Sequence, residues 1–251
     1  MTTIRQLAPD VTIFSAPFSR FGLFKIGARA TALGVTNTTG TPAKDVIIVS
    51  PIAASPEIEA ALVGLGTVKY LVAPDREHHL QLEDYAKRYP EAKIIGVEGL
   101  PEKHPNLTFF KVFGNKAYDH VTEIGWENEV EAVYFPGHGN KELALFHKPS
   151  STLVEADLLF NLPPIEQYSK SGGYSTGGML SSLSPFAKLK ADSKFHQWFN
   201  VNVLCKDKVS FKASLAQVDK WPFQRIVPCH GDVIEQNAKG IWQTAFSGIT
   251  Q

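Results

Sequence analysis

Apolar residues fall along this chain in short runs broken by polar turns, a texture that predicts strands interleaved with helices. Residues 11–15 (Val-Thr-Ile-Phe-Ser) and 23–26 read as short strands parted by the turn-prone 18–22, and 30–35 reads as another. After the polar turn Asn37-Thr38-Thr39-Gly40-Thr41-Pro42, the run Asp45-Val46-Ile47-Ile48-Val49-Ser50 has the unbroken β-branched character of a strand covered on both faces. Ser55-Pro56-Glu57 then opens a helix, with serine at the N-cap and proline and an acid in the first turn; Gly64 and Gly66 end it. Residues 68–72 predict the next strand, a helix follows from His78 to just before Pro90, and 93–97 is strand again.

Further on, runs at 107–113, 121–126, 132–135, 143–146 and 152–154 are short and separated by turns, which predicts antiparallel pairing. Past Leu162-Pro163-Pro164 the texture shifts to the glycine-rich stretch 172–178. Helices are predicted over 186–199 and 211–221, a strand over 225–227 and a closing helix over 233–246. The fold class is mixed α/β.

Composition narrows the picture only a little. With 251 residues, 43% hydrophobic and 20% charged, the chain can bury one large core and reads as an ordinary soluble protein. Its 25 basic and 25 acidic residues cancel, which removes the electrostatic footprint of a nucleic-acid or anionic-membrane partner. Two cysteines, Cys205 and Cys229, give no disulfide framework. The first residues lack a basic segment followed by an apolar one, and no apolar run approaches the roughly 20 residues that cross a bilayer. The expectation is a cytoplasmic protein with a small-molecule substrate, without nucleic-acid or membrane partners. Oligomeric state has no signature here.

Chemistry concentrates after four apolar runs. Ala73-Pro74-Asp75-Arg76-Glu77-His78-His79 follows 68–72, and Pro136-Gly137-His138-Gly139 follows 132–135. Glu155-Ala156-Asp157-Leu158 follows 152–154, and Pro228-Cys229-His230-Gly231 follows 225–227. Each alone has a plain explanation: a surface histidine pair, a turn, a strand-end cap, a buried cysteine beside a satisfied histidine. Jointly, each placing a His or Asp at a strand end, they predict one metal centre. Imidazole with carboxylate suits zinc, iron or manganese, and the lack of clustered thiols argues against a closed structural zinc site. His104 lies in a polar turn with Pro105, while His120, His147 and His196 follow no ligand spacing. The 172–178 stretch lacks the Gly-Lys-Ser/Thr ending of a P-loop and reads instead as a flap near the metal edge.

The order of these pieces resembles the metallo-β-lactamase superfamily, in which a strand ends in His-x-His-x-Asp-His and later strands end in Pro-Gly-His, Gly-Asp and Gly-His. Here, matched without gaps, Ala73 and Asp75 stand where the first two histidines fall and Glu77 where the aspartate falls; shifted by one, His79 serves as the last His and Pro74 and Arg76 stand at the first two, while Ser50 stands where many members have Asp. The chain is thus similar to a divergent branch, near a family described only as a domain of unknown function, with an altered first motif. The resemblance implies a four-layer αββα sandwich in a single domain over 1–251, with a helical, glycine-rich insertion at about 165–205. It implies one or two divalent ions, zinc foremost with iron or manganese as alternatives, held by a subset of Asp75, His78, His79, His138, Asp157 and His230. His78 or His79, Asp157 and His230 match the second metal position, and His138 belongs to the first. The implied function is hydrolysis of a small ester, lactone, thioester or amide by a water activated at the metal, with Asp75 or Glu77 as proton acceptor. The alternatives are iron- or manganese-dependent redox chemistry and a non-catalytic binding module with a degenerate site.

Overall fold

A computed structural model describes residues 1–37, 43–172 and 189–250. The β-branched run at 45–50 forms β6 (Lys44–Val49), a central strand of a seven-stranded sheet. On one side of it, β1 (Thr3–Ala8), β2 (Val11–Ala16) and β5 (Ala28–Thr36) pair antiparallel in the order β1-β2-β5-β6, and between β2 and β5 the chain forms a separate short hairpin of β3 (Ser19–Arg20) and β4 (Phe24–Lys25). On the other, β7 (Thr67–Val72), β8 (Lys93–Val97) and β9 (Phe109–Phe113) continue in parallel. Parallel neighbours require crossovers. These are α1 (Pro56–Leu65), α2 (Leu82–Arg88) and α3 (Leu100–Lys103). Ser55 caps α1 by accepting from the Ile58 N–H, and Gly66 ends it, as predicted.

The second sheet has the order β10 (Val130–Phe135), β11 (Glu142–His147), β12 (Thr152–Glu155), β13 (Arg225–Pro228). The first three strands are antiparallel and β13 joins β12 in parallel. Strand alternation sorts its side chains between two cores. Leu143, Leu145, Val154 and Val227 pack with the large sheet, while Ala144, Phe146, Leu153 and Ile226 face the other way. That outer face is covered by Phe211 and Leu215 of α6 (Lys208–Val218) and by Trp242 and Phe246 of α7 (Ala238–Thr250). With α1 and α2 burying Ile58, Leu62, Leu82 and Tyr85 on the far side, the layers run α, β, β, α.

Local chemistry explains where the sequence reading and the structure part. Residues 121–126 form no strand. The Glu127 carboxylate takes the Ile124 and Gly125 N–H groups, and Lys111 Nζ donates to the Val121 carbonyl, so that backbone is satisfied without a ladder. Trp126 nevertheless buries against Tyr70. The last helix begins at Ala238, not 233, because Ile234 exchanges both backbone hydrogen bonds with Ile226. Likewise α2 starts at Leu82, since residues just after Asp75 are held in a turn. Of the helix expected over 186–199, residues 194–199 form α5 (Lys194–Phe199), and 186–188 lie outside the described residues. So does the 173–178 portion of the glycine-rich stretch, with the flap expected there, and most of the turn at 37–42. Among the described residues no helix is long and apolar enough to cross a membrane.

Candidate metal centre

Strands β7, β10, β12 and β13 all deliver their following loops to one edge of the sandwich. After β7, Asp75 is fully buried, and its Oδ1 accepts from the backbone N–H groups of Glu77 (2.8 Å) and His78 (2.7 Å). This is the turn chemistry at which aspartate excels. The same carboxylate meets His78 Nδ1 at 2.9 and 3.0 Å, so Nδ1 carries a proton and Nε2 is left facing inward. After β13, His230 Nδ1 donates to the Gly27 carbonyl at 2.7 Å, which likewise leaves its Nε2 free.

The two free Nε2 atoms lie 3.1 Å apart. Two lone pairs do not face one another at that distance unless a proton or a cation lies between them. After β12, Asp157 Oδ2 is anchored by the Asn140 side-chain amide at 2.7 Å. Its Oδ1 lies 3.3 Å from His230 Nε2 and 4.0 Å from His78 Nε2, buried and without a hydrogen bond among the described residues. One ligand atom each from His78, Asp157 and His230 thus fall within 4.8 Å of one another. Two imidazoles and a carboxylate, each oriented from behind, fit a divalent transition ion.

Electrostatics agree with that fit. Burial opposes the charge on His78, but Asp75 and Asp157 outweigh it and raise the ring to about 10. Burial also opposes the Asp75 charge, yet His78 and the two backbone donors hold it down to about 2. Burial pushes Asp157 up to about 6, and burial with the nearby His78 charge pushes His230 down to about 3. Without a metal, then, His78 holds the proton that bridges to His230.

No protein-family model matches the sequence, and no curated protein matches it. Solved structures do. A metallo-β-lactamase from Pontibacter korlensis aligns over 98% of this chain and 99% of its own, with a TM-score of 0.57 and 14% identity. A metal-soaked Flv1 flavodiiron core from Synechocystis sp. PCC6803 aligns over 99% of this chain, which spans 61% of that core, with a TM-score of 0.65 and 13% identity. A putative diflavin flavoprotein fragment from Nostoc sp. PCC 7120 aligns over 99% and 96%, with a TM-score of 0.61 and 12% identity. This chain has the metallo-β-lactamase fold.

On that fold, the expected ligands separate into those brought together and those that are not. His79 points elsewhere: its Nδ1 meets His104 Nε2 at 2.8 Å and its Nε2 lies 3.5 Å from Lys103 Nζ. His138 is fully buried but outside the three-atom group. Its Nδ1 accepts the Asn140 N–H at 3.2 Å, its Nε2 makes no close hydrogen bond among the described residues, and burial lowers it to about 4. Asp75 stands behind His78, and Glu77 pairs with Arg20 at 3.2 Å on the half-exposed rim.

Several residues of the site had no signature in the sequence. Glu142 is wholly buried and accepts the Ala156 and Asp157 N–H groups at 2.7 and 2.9 Å, which fixes the Asp157 turn. Asn140, two residues past His138, anchors the Asp157 carboxylate. His104, set aside as a turn residue, links His79 to Glu83. A separate groove of about 890 Å³, lined in part by Lys111, Val121, Trp126 and Trp221, contains none of the predicted ligands.

Proposed function

We propose that this chain is a metal-dependent hydrolase-like enzyme acting on a small ester, lactone, thioester or amide, with one ion held by His78, Asp157 and His230. The observation that carries the reading is the convergence of three anchored side chains whose remaining ligand atoms face one another, one of them a buried oxygen without a hydrogen bond among the described residues. When bound, a divalent ion there supplies a Lewis acid that polarises a carbonyl and lowers the pKa of a water toward ~7. Asp75 fixes the His78 tautomer and ring direction; with its carboxylate committed to three N–H groups, it is not the proton acceptor. Glu77 takes that role, at the half-exposed rim beside Arg20. Phe160 stacks on the His230 ring at 5.5 Å and keeps one side of it dry.

Redox chemistry with iron or manganese is the second reading. The flavodiiron core and the diflavin flavoprotein fragment align with TM-scores of 0.65 and 0.61, above the 0.57 of the Pontibacter lactamase, and acidic side chains surround the site. Elemental analysis of protein purified without an affinity tag or chelator separates the cases. About one equivalent of zinc per chain, with turnover of esters or lactones lost on chelation, supports hydrolysis. Iron in excess of zinc, with absorption beyond the protein band, supports redox. A metal content near zero that resists reconstitution refutes both.

A further inference from the structure

His230 lies beyond the last ladder residue of β13, so its loop must find hydrogen bonds outside the sheet. It finds them in the Asn161 backbone, whose N–H donates to the His230 carbonyl at 3.2 Å and whose carbonyl accepts the Asp232 N–H at 2.9 Å, and in side chains. The Gln167 amide, 1% exposed, brackets the histidine: its Nε2 donates to the Cys229 carbonyl at 2.7 Å, and its Oε1 accepts from the Gly231 N–H at 2.9 Å. Arg29, whose side chain is fully buried, donates through Nη1 to the carbonyls of Pro228 (2.5 Å) and Gly231 (2.7 Å). Its Nη2 and Nε are spent on Glu166 and Ser15, each at 3.1 Å.

Two glycines make the arrangement sterically feasible. At Gly27 (φ +72°), whose carbonyl receives the His230 Nδ1 proton, a Cβ would lie 1.9 Å from Gln167 Oε1. At Gly231 (φ +92°), a Cβ would lie 2.1 Å from the Asn161 carbonyl oxygen. Glu166, Gln167 and Tyr168 are consecutive in the short helix α4 (Ile165–Tyr168), and all three bear on the same loop. Tyr168 does so through its hydroxyl, which donates to the Phe18 carbonyl at 2.7 Å, and the Phe18 ring stacks on His230 at 6.3 Å.

We infer that Gln167, backed by Arg29 and Glu166, is a positioning residue that aims His230 Nε2 at the metal and so sets the affinity for a divalent ion. This rests on the metal reading above. Replacing the amide leaves the Cys229 carbonyl and the Gly231 N–H without these partners in a buried loop, whose remaining ties to Arg29 and Asn161 do not bracket the His230 ring in the same way.

The test loads metal-free protein with Co²⁺ and measures its dissociation constant by chelator competition, together with the visible absorption band. Gln167→Met removes both hydrogen bonds at similar volume, Gln167→Glu keeps the acceptor for Gly231, and His230→Ala is the reference. Gln167→Met is expected to weaken Co²⁺ binding at least about 10-fold and to alter the band, with Gln167→Glu between it and wild type. Melting of the metal-free proteins tests folding separately, because a purely structural role lowers the melting temperature and leaves affinity and band of the folded fraction intact. Wild-type affinity and band in folded Gln167→Met overturn the inference. If that variant does not fold, wild-type affinity in Gln167→Glu overturns it. Wild-type affinity in His230→Ala refutes the metal reading itself.

Discussion

The His78–Asp157–His230 group, buried but for a partly exposed His78, and the fully buried His138 corner are both rich in imidazole and carboxylate and built at ends of strands in the same fold. They differ in what is left over once local hydrogen bonds are made. At the first, every anchor takes the outward atom: Asp75 takes His78 Nδ1, the Gly27 carbonyl takes His230 Nδ1, and Asn140 takes Asp157 Oδ2. The remaining atoms meet. At the second, the Asn140 N–H takes His138 Nδ1, while Glu142, 3.8 Å away, spends both oxygens on backbone donors. Among the described residues His138 Nε2 makes no hydrogen bond and belongs to no group of converging ligand atoms. Ligand identity alone does not make a metal site; convergence of uncommitted atoms does.

The comparison breaks most sharply under truncation. His230→Ala or Asp157→Ala is expected to weaken zinc or cobalt binding by more than about 100-fold, exceeding the loss typical of supporting residues. His138→Ala is expected to keep wild-type metal content and lose roughly 2 kcal/mol of stability to the cavity left behind. Elemental analysis and chemical denaturation of both variants check this. Equal metal loss in both would erase the distinction between the two corners.

Next in size is Asp75→Asn, which retains an acceptor for the backbone turn but removes the charge behind His78. Metal affinity is expected to fall about 10- to 100-fold, as when other supporting partners of metal-bound histidines are lost. Chelator competition measures it, and an unchanged value would remove Asp75 from the site's support.

The third expected effect is a pH dependence. In the metal-free folded protein His78 stays protonated up to about pH 10, against about 6.5 for an unfolded histidine. Its contribution to metal-free stability is therefore fully present below pH 6.5 and lost as pH rises through 10. A metal must displace that proton, so affinity should climb by up to tenfold per pH unit between about 6.5 and 10. Titration calorimetry in buffers of different ionisation enthalpy counts the released proton. A flat affinity with no proton release contradicts the assigned protonation of His78.

The smallest effect is expected at His79, half-buried and directed toward His104. His79→Ala should leave metal content unchanged and alter stability by less than about 1 kcal/mol. Any loss of metal would bring this ring into the site.

Much of this was legible in the chain. The Ser55 cap and Gly66 stop, the β-branched β6 and the four strand-end motifs all follow from local rules, and those motifs contained all three residues that converge. The reading that either His78 or His79 could serve was resolved by the buried Asp75, which turns one ring inward; the other meets His104, 25 residues on. The 121–126 run misled because its apolar residues are buried from a loop whose backbone is paired by Glu127 and Lys111. Arg29, Gln167 and Glu142 carried no local signal at all: their partners lie 202, 64 and 15 residues away.

The sequence by itself determined most of the elements, their order and the kind of chemistry at their ends, because capping, β-branching and turn residues act over a few positions and need no distant partner. The tertiary structure decided which ligand atoms remain free. A histidine's tautomer and a carboxylate's open oxygen are set by whatever the fold places behind them, and for His230 that is the Gly27 carbonyl, 203 residues away in the chain.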